Sequence, residues 1–274
     1  MTVRAWLELA RISNLPTIWT NVLAAWLLAG HSADSALLQI IAGASLIYTA
    51  GMILNDAGDA SWDRVNKPER PIPSGRVRLV TAWTVGLVAL GLGLVVFWST
   101  PGTHLTWLIA LCTAVVAYDL FHKPWAGSVV VMGSCRTFLY LATGGIAVAN
   151  AGTALGIYVI ALSLLARAEG KGGLTTGKRA LLVALLLVPV WTSLSANPFW
   201  LVSAVAFAAL VWICLRQMGR GGPAIGSAVG WLLAGIPLVD ALALASAGNN
   251  DLWVLALCLM PPALRYWQRF VSAT

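Results

Sequence analysis

Charged residues are scarce in this chain of 274 residues: they make up 10% of it, while hydrophobic residues make up 59%. A soluble globular domain carries about 25% charged residues. The shortage excludes an ordinary soluble fold and, with a mean hydropathy of +0.83, indicates a protein that crosses a membrane several times. At about 20 residues per span, the chain has room for nine or ten helices.

Cysteine pairs with metal-binding or redox spacing are also missing. The four cysteines are far apart, and each lies in an apolar run: Cys112, Cys135, Cys214 and Cys258. Because no CxxC or CxxH pattern occurs, we expect them to be small apolar packing residues rather than metal ligands or disulfide partners.

Ten apolar stretches, separated by Gly, Pro, Asn and charge, predict ten membrane helices. They lie at 14–30, 36–56, 79–98, 105–121, 127–149, 154–168, 179–195, 199–215, 223–246 and 252–268. The weakest of these are 154–168, because it is short, and 223–246, because it contains Pro237 and Asp240. The first stretch resembles a signal peptide, but its length favours an uncleaved helix. We expect an all-α, multi-spanning transmembrane bundle that forms one domain over residues 1–274.

Positive charge is unevenly distributed among the predicted loops. With the N-terminus placed inside, the inner segments and helix ends hold 16 of the 17 Lys and Arg residues, and the outer loops hold none. Cytoplasmic loops of membrane proteins are the basic ones. The pattern predicts ten spans with both termini inside, and it explains the net charge of +7 without a nucleic-acid partner.

The stretch NDAGDASWDRVNKPERP, residues 55–71, contrasts with its apolar surroundings. If the second helix continues past the membrane, at about 100° per residue, four oxygen-bearing side chains share one face: Asn55, Asp56, Asp59 and Asp63. Carboxylates so close together repel each other, unless a cation lies among them. Oxygen-only ligands suit Mg²⁺, which usually combines one or two carboxylates with substrate phosphates.

Positive side chains follow the acids directly: Arg64, Lys67, Arg70, Arg76 and Arg78. Carboxylates and cations together at the mouth of a membrane bundle indicate a magnesium-bridged phosphate or diphosphate. The alternative is a solvated loop with local salt bridges and the ordinary positive charge of an inner loop.

NDAGDASWD followed by RVNKPERPIPSG resembles the N-D-x-x-D-x-x-x-D signature and basic PxRPxxxG tail of UbiA-type intramembrane prenyltransferases, and especially their EboC-type members. The tail matches at Asn66, Lys67, Pro68, Arg70, Pro71, Pro73 and Gly75. The matching motif is confined to residues 55–75, whereas the hydropathy agrees over most of the chain. The resemblance implies a helical bundle around a central cavity that opens to the cytoplasm, usually of nine helices, one fewer than the ten stretches above, which again makes 223–246 the weakest.

The resemblance also implies an activity, the transfer of a prenyl group from an isoprenoid diphosphate to a lipophilic or small acceptor in the cell membrane. Mg²⁺ and basic side chains would offset charge on the leaving diphosphate, and the apolar bundle would exclude water from the allylic cation. By resemblance, Asn55, Asp59 and Asp63 are metal ligands supported by Asp56. The residues implied to bind diphosphate are Arg11, Arg64, Lys67, Arg70, Lys123, Arg136, Arg167 and Lys171.

AYDLFHKPW, residues 117–125, closes the fourth predicted helix on the same side. Family members carry a Tyr and a diphosphate-contacting Lys here. Tyr118 and Lys123 match in kind and are therefore candidate catalytic residues, but one additional residue separates them and His122 occupies the usual Lys spacing. Lys123 could instead be an ordinary inner positive charge, and Asp119 could pair with Lys123 or His122.

Arg136 lies well inside the fifth predicted helix, where an arginine usually faces a cavity or a partner. Substrate phosphate is one candidate partner, which would make Arg136 catalytic, and Asp240 is another. Arg11 lies at the inner mouth, within reach of diphosphate. Asn14 and Asn21 lie on one face of the first helix, where we expect buried polar contacts between helices.

The second acidic motif of the family, usually two aspartates that bind another Mg²⁺, is missing. Residues 164–173 read LLARAEGKGG, and no Asp occurs from 120 to 239. Arg167 and Lys171 are spaced i,i+4 and could grip diphosphate in place of that metal. Alternatively, Glu169 is a lone metal ligand, or catalysis has been lost.

A non-catalytic transporter or lipid-binding scaffold is therefore the alternative function. Transporters tend to place ionisable groups at the bilayer midplane, whereas the acids here lie at the inner rim, which favours an enzyme. A CDP-alcohol phosphotransferase is excluded because the chain has no DGxxAR run.

Overall fold

The computed structural model describes residues 3–121, 125, 127–168, 175–218 and 223–270, and all regular structure in these ranges is helical. The helices are α1 (Val3–Leu9), α2 (Leu15–Leu28), α3 (Ser35–Gly58), α4 (Ala60–Asn66), α5 (Leu79–Trp98), α6 (Leu105–Phe121), α7 (Ser128–Gly144), α8 (Ala149–Ala168), α9 (Thr176–Leu186), α10 (Val188–Thr192), α11 (Pro198–Met218), α12 (Pro223–Ala234), α13 (Ile236–Ser246) and α14 (Leu252–Trp267). Two 3₁₀ turns, Ile12–Asn14 and Gly145–Val148, precede α2 and α8. The all-α prediction is confirmed.

Five helical stretches of the described chain are long and apolar enough to cross a membrane. They are Ser35–Gly58, Leu79–Trp98, Ser128–Ala168, Pro198–Met218 and Ala224–Ser246. The third stretch contains both α7 and α8, which pack against each other because the chain turns at Gly145, where φ is +67°. The apolar helices α6 and α14 are shorter. This is a multi-pass membrane protein, as the composition predicted.

Each of the ten predicted stretches contains helix, but several differ in extent. The helix predicted at 154–168 is present, but its predicted start is wrong, because α8 begins at Ala149 and runs for 20 residues. The stretch 179–195 divides into α9 and α10 near Pro189, and 223–246 divides into α12 and α13 at Gly235, just before Pro237. Proline removes a backbone donor and clashes with the preceding turn. Even so, Ala224–Ser246 is long enough to span.

Small residues allow α7 and α8 to approach closely, as is common in membrane bundles. A Cβ added to Gly133 would lie 2.5 Å from the carbonyl oxygen of Gly156, and one added to Gly156 would overlap Thr137 Oγ1. The Thr137 hydroxyl donates a hydrogen bond to the Gly152 carbonyl at 3.0 Å. This packing fixes α7, the helix that carries Arg136.

We expect Gly133→Ala to destabilise the protein by about 1–3 kcal/mol, since the new methyl group must push two backbones apart. The matched control is Gly91→Ala in α5, where an added Cβ would meet nothing within 4 Å. The thermal midpoint of the purified protein in detergent is the measurement. Gly133→Ala should lower it and Gly91→Ala should not; equal midpoints would contradict the packing described for α7 and α8.

Candidate functional site

The acidic motif lies where α3 passes into α4, which we call the motif end of the bundle. The backbone continues with little interruption, since the Asp59 amide donates to the Asn55 carbonyl and the Asp63 amide donates to the Asp59 carbonyl, both at 2.9 Å. The predicted continuation of this helix is therefore confirmed, apart from a break at Asp59. All four oxygen-bearing side chains are buried, with Asp63 at 0% exposure. Buried carboxylates require compensating charge.

Two of the acids face arginines. Arg70 Nη1 lies 2.8 Å from Asp63 Oδ2 and 3.3 Å from Asp56 Oδ1. Arg11 Nη2 approaches the same Asp56 oxygen at 3.3 Å. These contacts connect the segment before α2, the acidic motif and the basic tail that follows it. The sequence placed Arg70 in the site, but its pairing with Asp63 depends on how the tail folds back.

The motif asparagine faces another helix. Asn55 Nδ2 donates to Asp119 Oδ1 of α6 at 3.3 Å. A Cβ on Gly58 would lie 3.6 Å from the Asp119 carbonyl oxygen, so α3 and α6 are close at this point. Sequence reasoning linked Asp119 only to His122 and Lys123, both of which lie outside the described residues. Asn55 and Asp119 are 64 residues apart in the sequence, and nothing in that separation indicates that they are in contact. The contact could therefore not be predicted.

The described residues contain no group of three or more His, Cys, Asp or Glu side chains arranged to hold a metal ion. Asp56 and Asp63 instead pair with arginines, and Asn55 with Asp119 of α6. The four motif side chains still fit a divalent ion chemically, because all are oxygen donors and because Asp63 Oδ1 is buried with no hydrogen-bond partner among the described residues. Their role as one ligand set stays a prediction.

A central cavity of about 330 Å³ is connected to the motif through Arg11, which lines the cavity and pairs with Asp56. Arg11, Arg136 and Arg167 line it from three different elements, together with Tyr48 and Tyr118. Within the described chain its lining contains no Asp or Glu. A low-dielectric cavity lined by charges of one sign attracts the opposite sign, so this cavity suits an anion.

Arg136 is anchored to α2. Its guanidinium donates to Thr17 Oγ1 at 3.1 Å and to Asn21 Oδ1. Asn21 Nδ2 in turn donates to both carboxylate oxygens of Asp240, at 2.8 and 3.0 Å, and the Tyr140 hydroxyl donates to Asp240 as well. The predicted pairing of Arg136 with Asp240 is therefore indirect, through Asn21. The expected burial of Asn21 in polar contacts between helices is confirmed.

Arg167, at the end of α8, donates to Ser128 Oγ at 2.6 Å and to the Trp125 carbonyl at 3.3 Å. These contacts hold its guanidinium at the wall of the central cavity. Lys171 and Glu169, which the sequence placed beside it, lie outside the described residues, as does Lys123.

An apolar pocket of about 100 Å³ adjoins the central cavity. Ile18, Ile47, Leu111 and Val115 are among its apolar walls. It shares five lining residues with the cavity: Tyr48, Met52, Tyr118, Met132 and Arg136. The central cavity and the apolar pocket therefore offer adjacent sites for an anionic group and for an apolar chain attached to it. Tyr48 and Tyr118 line both.

A third pocket, which we call the rim pocket, opens beside the basic tail and measures about 450 Å³. Its lining is Glu8, Arg11, Asp56, Lys67, Glu69, Arg70, Pro71 and Arg76. Burial lowers the pKa of the Lys67 ammonium, and the positive charge of Arg70 lowers it further. Arg64, also predicted to bind diphosphate, is exposed and lies outside these three pockets.

Arg11 belongs to both the central cavity and the rim pocket. Its backbone is left-handed, with φ +42° and ψ +49°, which costs a non-glycine residue roughly 1–2 kcal/mol. The Tyr48 hydroxyl donates to the Arg11 carbonyl at 3.4 Å. Such strain is typical of functional sites.

A multi-pass helical bundle with an acidic motif, an arginine-lined cavity and an adjoining apolar pocket has the features of a membrane-embedded prenyltransferase. The chain belongs to the UbiA prenyltransferase family, whose model matches residues 15–169. Members of this family generally use a divalent metal. The resemblance to the family is therefore confirmed.

The named relatives are digeranylgeranylglyceryl phosphate synthases. The protein from Methanoregula boonei is 30% identical over 258 residues, which cover 91% of this chain and 87% of the relative. The protein from Sulfolobus acidocaldarius is 30% identical over 157 residues, 57% of this chain and 54% of the relative. The chain thus spans about half the length of the second relative. The narrower resemblance to EboC-type members stays a prediction.

The fold has a match among solved structures. A structure described in connection with digeranylgeranylglyceryl phosphate synthase in membranes aligns with a TM-score of 0.62 and 18% identity. The alignment covers 89% of this chain and 98% of that one. At this identity the likeness concerns the fold, which it supports over most of the chain.

Proposed function

We propose that the protein transfers a prenyl group from an isoprenoid diphosphate to an acceptor, with Mg²⁺ as cofactor, as a single domain whose site faces the cytoplasm. The observation that carries this proposal is the continuity of the arginine-lined central cavity with the apolar pocket. It matches a substrate with an anionic head and an apolar chain. The relatives are named as synthases of digeranylgeranylglyceryl phosphate, which supports the same reaction class.

Each part of the site has a proposed role. Arg11, Arg136 and Arg167 bind the diphosphate, and the apolar pocket takes the first part of the prenyl chain. When the allylic C–O bond breaks, its electron pair leaves with the diphosphate, and arginines preorganised around that group stabilise the new charge. The faces of Tyr48 and Tyr118 lie where the allylic cation forms.

The metal would be held by motif oxygens, with Asn55, Asp59 and Asp63 as the leading ligands and Asp56 supporting them. A bound divalent ion supplies charge neutralisation at the leaving group. The pairing of Asp56 and Asp63 with Arg11 and Arg70 keeps these buried carboxylates compensated when no ion is present. Because the second acidic motif is missing, the three arginines of the central cavity would neutralise more of the negative charge of the leaving diphosphate.

The experiment is an assay of the purified protein in lipid nanodiscs with labelled geranyl, farnesyl or geranylgeranyl diphosphate and a glyceryl phosphate acceptor. We expect pyrophosphate release and a labelled lipid product with Mg²⁺, and neither with EDTA. Absence of release with every chain length would overturn the proposal. Transport of a solute by the same preparation would then support the transporter alternative.

A further inference from the structure

The charges that line the two adjoining substrate spaces differ in sign. The central cavity is lined by Arg11, Arg136 and Arg167 and, within the described chain, by no Asp or Glu. The apolar pocket, in contrast, has one carboxylate among the described residues that line it, Asp119 of α6. A carboxylate in the wall of an apolar pocket needs an explanation, because burying a charge is costly.

The contact of Asp119 with the acidic motif does not supply that explanation. Asn55 Nδ2 donates to Asp119 Oδ1 at 3.3 Å, which ties α3 to α6. A neutral side chain could accept this hydrogen bond as well, so the tie alone requires no charge. Asp119 Oδ2 is also buried, and water therefore screens the carboxylate weakly. Its negative charge acts on whatever occupies the apolar pocket.

The proposed reaction creates a positive charge in this place. When the allylic C–O bond of the donor breaks, its electron pair leaves with the diphosphate, and the positive charge is shared between C1 and C3 of the prenyl chain. With the diphosphate beside the arginines and the chain in the apolar pocket, these carbons lie where the two spaces meet. Tyr48 and Tyr118 line both spaces there, and Asp119 directly follows Tyr118 in α6.

Resting on the proposed function, we propose that Asp119 is a catalytic residue whose carboxylate, against the prenyl chain, stabilises the allylic cation by electrostatic attraction. Asp119 forms no covalent bond; the acceptor supplies the electron pair for the new bond to C1. A preorganised charge aimed at the place where the opposite charge develops is often the largest contribution to catalysis. Before the C–O bond breaks, the allylic carbons are neutral, so the attraction acts on the transition state and contributes little to binding of the donor.

The neighbouring groups are consistent with this role. Arg136 also lines the apolar pocket, but its guanidinium donates to Thr17 and Asn21, which holds its positive charge against α2. Asn55 connects Asp119 to the proposed metal site, since its amide nitrogen faces Asp119 and its oxygen remains for the ion. The ion that neutralises the diphosphate and the carboxylate that faces the cation would thus lie on two sides of one asparagine.

Binding of two unreactive analogues of geranyl diphosphate tests the proposal, with the protein in phosphatidylcholine nanodiscs and Mg²⁺ present. In the 3-aza analogue a protonated amine stands where C3 of the cation carries its charge, and in the 2,3-dihydro analogue a neutral carbon stands there. By calorimetry, the unchanged protein should bind the 3-aza analogue at least about tenfold more tightly, as enzymes bind transition-state analogues. Asp119→Asn should reduce this ratio by about tenfold, because it removes a nearby unit charge and keeps an acceptor for Asn55.

Kinetics give a second readout. In Asp119→Asn, single-turnover release of pyrophosphate from the best donor should slow about 10²-fold, the usual effect of removing one preorganised group. Affinity for the neutral 2,3-dihydro analogue should change less than about threefold, since it mimics the ground state. Mn²⁺ affinity in the presence of pyrophosphate should also stay unchanged. The control is Asp251→Asn, an exposed carboxylate immediately before α14, which should alter neither the analogue ratio nor the rate.

Two results would overturn the proposal. An undiminished preference for the 3-aza analogue in Asp119→Asn would leave Asp119 as a tie between α3 and α6, and a loss of Mn²⁺ affinity would assign it to the metal site. Partial unfolding cannot imitate the first result, because the ratio compares two ligands on one preparation. Failure of the proposed function looks different, since the unchanged protein would then release no pyrophosphate from any prenyl diphosphate.

Discussion

Asp59→Asn is expected to lower prenyl transfer by about 10³-fold, the upper end of the effect of removing one preorganised electrostatic group, while leaving the bundle folded. The substitution keeps the shape of the side chain and replaces one candidate ligand oxygen by an amide. Asp59 suits this test better than Asp56 or Asp63, since replacing either of those would also disturb Arg70. Pyrophosphate release under single-turnover conditions is the measurement.

The control for this prediction is Asp34→Asn. Asp34 is exposed at the opposite end of α3, where its carboxylate accepts from the amides of Ala36 and Leu37. Asparagine caps helices about as well as aspartate, so this variant should retain full activity. Activity of Asp59→Asn within about threefold of the unchanged protein would contradict a metal role for the motif, since even an outer-shell partner of a metal typically contributes 10–100-fold.

Arg136→Gln is expected to impair both stability and substrate binding. Asp240 accepts hydrogen bonds from Asn21 and Tyr140, and Arg136 is the cation of the same buried network, which it joins through Asn21. Removing one charge of a buried network costs about 3–5 kcal/mol. Diphosphate affinity should fall as well, because Arg136 lines the central cavity.

A double variant separates these two effects. Arg136→Gln combined with Asp240→Asn removes both buried charges, so the midpoint of unfolding in detergent should return towards that of the unchanged protein. Pyrophosphate affinity should stay low, at least tenfold below normal, since one charge-assisted contact is worth about 1.5–3 kcal/mol. If affinity recovers together with stability, Arg136 has a structural role only.

The helices were largely predictable because transfer of apolar side chains into the bilayer determines where they run. α5 and α6 begin and end where the apolar runs do. The start of α8 was missed because the preceding turn depends on the positive φ of Gly145, which hydropathy does not register. Both breaks follow from proline chemistry: the sequence indicated the one before Pro237 but not the one before Pro189.

The candidate site was predictable only where its residues are close in sequence. Asn55 to Asp63 follow one another along α3 and α4, so helical spacing placed them together. The contact of Asn55 with Asp119 and the bridge of Asn21 to Asp240 join helices far apart in the chain. Such tertiary contacts have no signature in a single sequence. The unity of residues 1–274 as one domain likewise stays a prediction.

The central claim is that motif oxygens hold a divalent ion that anchors the diphosphate. Electron paramagnetic resonance of Mn²⁺, titrated into metal-free protein with and without pyrophosphate, tests it most directly. We expect Mn²⁺ to bind much more tightly when pyrophosphate is present, and Asp59→Asn to abolish this binding while Asp34→Asn preserves it. Mn²⁺ binding that is absent, or equal in all three proteins, would contradict the account.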